Sequence, residues 1–353
     1  MRVIVTVECA DHVRFFRHAI RTLEADDHDV CVFARERPAV LEALERFEIP
    51  HVGLGGTGDR LGEPARSQLE YETRLLKHAR RLEPDVLSAV NASAVAHVAS
   101  LVGARSVVFS DTDRTTLLGR LTRPLVDTVC VPRRVETEST AGVIRHRSYH
   151  ELAYLHPNRF TPDRSLRADL TPDAEPGDRL VLTTLASWED DEPSKTLEFV
   201  ERLEREGATV LIAAETPLPE PLERRRRSLD AHRVHDALAC ADLVVTERST
   251  TAVESAVLGT PTVYVSDCER RATHQLEDEF ELVFNVRGRN ARAEAFATAV
   301  TALEEPPSTW QRRRERLLSE TCDMTTVIVN AIAGASQPPS TDAEPIPDAT
   351  HPR

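Results

Sequence analysis

The sequence predicts an α/β protein of two tandem doubly wound domains with a cleft between them, and three observations carry that reading. Compact β-branched runs alternate with segments of ten or more residues whose apolar positions recur at helical spacing, a pattern that makes a parallel sheet with helices on both faces. The alternation halts at a stretch rich in proline and charge, "NRFTPDRSLRADLTPDAEPGDR", and then starts again. With 353 residues, 41% hydrophobic and 29% charged, the chain is long and apolar enough to bury two cores of ordinary size. The expected division is residues 1–160 and 179–334 as domains, 161–178 as linker and 335–353 as a tail with the composition of disorder.

Each element follows from its own pattern. "RVIVTV" is the first strand, and the next segment spaces Val13, Phe16, Ile20 and Leu23 along one helical face. "DVCVFA" is the second strand, followed by a helix near 37–47, a strand at "PHVGL", a long helix near 63–82, the strand "PDVLSAV", a helix near 91–102 and the strand "SVVFS". "GLGGTGDRLG" lacks the glycine spacing of a phosphate fingerprint. In the second half, "LVLTTLA", "ATVLIAA", "ADLVVTE", "PTVYV" and "FELVFNV" are strands, with helices near 194–206, 251–258 and 290–304.

One segment carries most of the functional argument: "ACADLVVTERSTTAVESAVLGTPTVYV". A strand runs through a short hydroxyl-rich turn into a helix, and ligands of doubly wound sheets gather at such strand ends, where a helix N-terminus offers N–H groups to an anion. Thr251-x-x-Glu254 also reads as a capping box, in which Glu254 reaches back to the cap. Gly259 ends the helix and Pro261 prevents its continuation.

The stretch "ALACADLVVTERSTTAVESAVLGTP" resembles the donor-site motif of the glycosyltransferase B superfamily, in which such a strand leads through a glycine turn to a helix with one glutamate, then "GTP" or "GKP". "HVRFF", "SDTD", "TRPLVD" and "YHELAYLHP" extend the likeness over residues 1 to about 330. On these motifs the chain is similar to the archaeal domain of unknown function 354 family, related to N-acetylglucosaminyltransferases and UDP-N-acetylglucosamine 2-epimerases. The resemblance implies two Rossmann-like domains of glycosyltransferase B type and a nucleotide-activated sugar, such as a UDP-sugar, bound between them as substrate. It implies hexosyl transfer to an unknown acceptor, without a redox cofactor. A sugar-nucleotide 2-epimerase and a non-catalytic binding protein are the alternatives. It assigns the ribose hydroxyls to Glu254, since a carboxylate accepts two hydroxyl donors at once, and the diphosphate turn to Arg248, Ser249, Thr250 and Thr251. Glycines of the pattern are replaced at 248–250, which puts close backbone approach to a pyrophosphate in question.

His12, in the first turn after the first strand, is a candidate to activate an acceptor hydroxyl or contact a phosphate. Asp111, at the end of the strand "SVVF", is a candidate base or acceptor contact, and Asp113 reads as the N-cap of the following helix, so no metal is inferred. Trp188 can stack on a base or sugar, although Glu189 to Glu192 beside it would repel a diphosphate.

Composition excludes some classes and marks others. A formal charge of −14 argues against nucleic-acid binding. Lysine occurs only at Lys77 and Lys195 among 44 basic residues, an acidic, arginine-based balance like that of salt-loving organisms. The arginine clusters 224–227 and 312–314 read as solvated helix faces. Six scattered cysteines fit free thiols with no zinc spacing, and the N-terminal apolar run is too short for a signal sequence, so a cytoplasmic location is expected. No apolar run approaches the roughly 18 residues of a transmembrane segment.

Overall fold

The computed structural model describes residues 1–55, 63–91, 93–110, 125–135, 142–172, 177–184, 193–214 and 216–334. They form two compact units: the described residues of Met1–Val131, Glu138–His146 and Thr325–Arg353 make one, and those of Pro132–Thr137 and Arg147–Met324 the other.

The N-terminal unit holds β1 (Arg2–Val7), β2 (Asp29–Ala34), β3 (His51–Gly53), β4 (Val86–Val90), β5 (Arg105–Phe109), β6 (Thr128–Pro132) and β7 (Val143–His146), in the order β3-β2-β1-β4-β5-β6-β7. From β3 to β6 every register is parallel. In central β1, Val3, Ile4, Val5 and Val7 are wholly buried, as a strand covered on both faces must be. Each such side chain stabilises the fold by about 1.5–3 kcal/mol. The helix Ala10–Ala25 buries the predicted Val13, Phe16, Ile20 and Leu23, with Phe15 and Ala19 beside them. Phe15 and Phe16 meet Phe109 of β5 edge-on, with ring centroids 5.3 and 6.0 Å apart.

The C-terminal unit repeats the plan with β8 (Arg179–Thr184), β9 (Ala208–Ala213), β10 (Arg226–Arg227), β11 (Leu243–Thr246), β12 (Thr262–Val265) and β13 (Val283–Val286), ordered β10-β9-β8-β11-β12-β13 and parallel throughout. In each sheet the winding reverses beside the first strand, between β1 and β4 and between β8 and β11. Those reversals are the topological switch points where doubly wound sheets hold ligands.

Three expectations need correction. The second unit takes in residue 147 onward, so 147–160 leaves the first domain, and the chain returns to the N-terminal unit at Thr325. The described residues of the stretch 161–178 are built into the second unit: the Asp163 amide donates to Asp236 Oδ1 at 2.8 Å, and Arg164 and Arg167 donate to the carbonyls of Ala239 and Cys240 at 3.1 and 2.7 Å. Its charges thus cap the helix Val234–Cys240 instead of solvating a linker. In the cluster 224–227, Arg226 and Arg227 form an edge strand, and Arg225, only 3% exposed, grips Glu204 through two bonds of 2.6 and 2.5 Å. A forked guanidinium held by both carboxylate oxygens explains why that arginine leaves solvent. The predicted tail and most of the glycine loop lie outside the described residues. No described helix is long and apolar enough to cross a membrane.

Candidate functional site

The switch point of the C-terminal sheet is framed by the last residues of β8 and β11. Thr184 and Thr246 join their hydroxyls there at 2.7 Å, and Thr246 Oγ1 also accepts the Arg248 amide at 3.0 Å. This pins the turn leaving β11 against the neighbouring strand. From it rises the helix Ser249–Leu258, with Arg248 as N-cap in extended conformation (φ −99°, ψ 118°). Its apolar, small-residue sequence is buried from Ala252 to Leu258. Gly259 closes it at φ 90°, donating its N–H to Ala256 O at 2.9 Å while the Thr260 amide bonds Ser255 O at 2.9 Å.

The expected capping box does not form. The helix begins at Ser249, so Thr251 lies inside the first turn with its carbonyl accepting the Ser255 hydroxyl at 2.7 Å, and no side chain among the described residues caps the N-terminus. Glu254 turns instead toward two residues distant in sequence. Its Oε1 accepts the Tyr154 hydroxyl at 2.9 Å and lies 2.9 Å from His235 Nε2. An ionised carboxylate only accepts, so the proton of the second contact sits on His235. The Glu254 and His235 side chains are 7% and 12% exposed, and Tyr154 is buried. The imidazole is held by Tyr154, with centroids 5.5 Å apart, and by Phe160 edge-on at 6.0 Å. The carboxylate is therefore held by two partners at one oxygen, Oε1.

The remaining predicted residues fall in different places. Arg248 is exposed at the helix entry, with Ser249, Thr250 and Thr251 half-buried behind it. His12 stands in the first turn after β1, at the carboxyl edge of the N-terminal sheet, and its Nδ1 accepts the Glu8 amide at 3.3 Å. That acceptance leaves the proton of a neutral His12 on Nε2, a tautomer suited to donating to a phosphate or hydroxyl oxygen and unsuited to removing a proton through that nitrogen. Asp111, Asp113, Trp188 and the acids 189–192 lie outside the described residues. Sequence reasoning missed Tyr154 and His235. Tyr154 lies in the run "YHELAYLHP", and neither residue has a local pattern that pairs it with Glu254.

A sequence family described as a protein of unknown function, DUF354, matches residues 1–150. No protein of curated function matches the chain. Among solved structures, the UDP-GlcNAc 2-epimerase from Neisseria meningitidis bound to UDP-GlcNAc is 13% identical, with a TM-score of 0.74 over 95% of this chain and 100% of that one. The UDP-GlcNAc 2-epimerase from Methanocaldococcus jannaschii is 13% identical, with a TM-score of 0.66 over 90% and 99%. A spinosyn rhamnosyltransferase is 16% identical, with a TM-score of 0.64 over 93% and 99%. At such identities the likeness concerns fold: two parallel Rossmann-like sheets, as in glycosyltransferase B proteins and epimerases.

Proposed function

We propose that the protein binds a nucleotide-activated sugar through its C-terminal unit and transfers the sugar to an acceptor. The observation that carries this reading is the helix Ser249–Leu258, which starts at the switch point with no side-chain cap and holds a carboxylate one turn in, orientated by Tyr154 and His235. Uncapped N–H groups and the positive end of the helix dipole suit a diphosphate. Arg248, exposed at the entry, adds a charge-assisted contact in place of glycine. Glu254 is assigned the ribose hydroxyls, and its fixed rotamer lowers the ordering cost of binding. Ser249, Thr250 and Thr251 line the approach, and Trp188 is assigned a stacking role. On the N-terminal unit, Asp111 keeps the role of acceptor base, while the tautomer of His12 favours a hydrogen-bond donor's part toward acceptor or phosphate.

Calorimetric titration with UDP-GlcNAc and a panel of other nucleotide sugars tests the reading. Wild type is expected to bind at least one, and Glu254→Ala to weaken that binding by about 1–3 kcal/mol, the scale of a lost carboxylate hydrogen-bond pair. A panel without binding, in low and high salt, would refute the proposal. Product analysis then separates transfer, which consumes an acceptor, from 2-epimerisation, which does not.

A further inference from the structure

β8, β11 and β12 run parallel, so their first residues share one edge of the C-terminal sheet, opposite the edge that carries Thr184, Thr246 and Arg248. A cavity of about 460 Å³ opens at this amino edge. Its wall brings together Arg164, Arg179 and Arg314. None of the three forms an ion pair with a carboxylate among the described residues, whereas Arg159, Arg167, Arg225 and Arg233 of the same unit all do. Arg164 donates to Ala239 O and Arg314 to Val257 O, each at 3.1 Å, which uses one of the five N–H groups each guanidinium carries. The Arg179 side chain makes no hydrogen bond to the described residues, although it is half-buried.

The acids of the wall do not balance these cations. Asp242 Oδ2 is taken by Arg167 at 2.7 Å and by the Leu180 amide at 2.8 Å, and Arg167 stands outside the cavity. Glu315 is exposed and accepts from Gln311 at 3.1 Å, leaving Glu305 as the other lining carboxylate. Two open carboxylates thus face three guanidiniums, in a chain whose net charge is −14. Burial, followed by the charge of Arg164, holds the Arg314 guanidinium below its ordinary range.

We infer that this cavity is a binding site for a phosphorylated small molecule, separate from the nucleotide-sugar site proposed above. Guanidinium forks match phosphate oxygens two at a time. A phosphate monoester brings a charge of about −1.5 to −2 at neutral pH, more than a lone carboxylate supplies. The volume lies in the range of small-molecule sites and admits a monosaccharide phosphate. The ten-residue helix Ser249–Leu258 spans the distance from one edge to the other, about 15 Å at 1.5 Å per residue, so one ligand of this size does not reach both.

Glucose 1-phosphate is the probe, titrated calorimetrically into the full chain with glucose as the neutral control. Wild type is expected to bind the phosphate ester and not glucose. Arg179→Ala weakens binding at least tenfold with little change in melting temperature, since the Arg179 side chain makes no hydrogen bond or ion pair to the described residues. Arg179→Gln, which keeps the stem, gives the same loss should Arg179→Ala prove less stable. Glu254→Ala leaves this binding intact. The inference is overturned if glucose 1-phosphate does not bind, if both Arg179 variants bind as wild type, or if Glu254→Ala abolishes binding and so places the anion at the carboxyl edge. Because the second arm concerns a different edge of the sheet, failure here leaves the nucleotide-sugar reading to its own titration.

Discussion

Glu254, Tyr154 and His235 show what a single buried carboxylate demands. Taking an ionised group out of water is tolerable only when donors replace the lost hydration, and here a phenol and an imidazole do so at 2.9 Å each. The two donors differ in what their loss leaves behind. Tyr154→Phe keeps the ring and removes one neutral donor, an expected cost of about 1–3 kcal/mol. His235→Ala removes a ring packed against Tyr154 and Phe160 together with its hydrogen bond to the carboxylate, so its expected cost is the larger, about 2–5 kcal/mol. Urea unfolding of both variants checks the ordering, and equal midpoints would contradict it. Glu254 stands out in the sequence through the resemblance of its segment to a donor-site motif, since its spacing from Thr251 alone equally fits a capping box. Its partners do not, because they stand 100 and 19 residues away, and only the tertiary fold brings them to one oxygen.

At the scale of elements, the strands were the easiest to read, since buried parallel strands are continuous β-branched runs. The errors fell where polar residues do structural work. "STTAVESAVLG" contains a capping-box spacing, yet the helix starts two residues before Thr251 because small and hydroxyl residues fit a first turn without a side-chain cap. The proline-rich stretch before β8 looked like a linker because composition does not reveal that Arg164 and Arg167 cap another helix. The close of the helix was read correctly, and it carries a prediction. Gly259 holds φ 90°, and a Cβ there would lie 2.6 Å from Arg314 Cδ, in the middle of a side chain whose Nε is bonded to Val257 O. Where backbone geometry allows, Gly→Ala stabilises by about 0.4–1 kcal/mol. Here strain and displacement of Arg314 reverse the sign, so Gly259→Ala is expected to cost about 1–3 kcal/mol. Denaturant unfolding decides between the two signs.

For the whole molecule, the sequence announced two doubly wound units through one interrupted alternation, but not how the chain shares itself between them. Contiguous segments are the natural reading of a linear pattern, and nothing in "MTTVIVNAIA" says that it belongs with strands some 200 residues earlier. The structure ties it there: Arg105, at the start of β5, donates to the carbonyls of Ala331 and Ile332 at the end of the helix Met324–Ala333. Val327, Ile328 and Ile332 of that helix are buried. Residues 1–150, the span of the family match, therefore omit an element of their own unit. At about 1.5–3 kcal/mol for each buried aliphatic side chain, the omission approaches the 5–15 kcal/mol by which ordinary domains are stable. A fragment of residues 1–150 is expected to melt far below the N-terminal unit of the full chain and to lose protection of the β5 amides in hydrogen exchange. Adding a peptide of residues 323–334 is expected to restore part of that protection, because the helix supplies both the apolar face and the carbonyls that Arg105 caps. If the fragment alone matches the full chain in β5 protection, the helix is an accessory and the two-way division of the chain has no energetic weight.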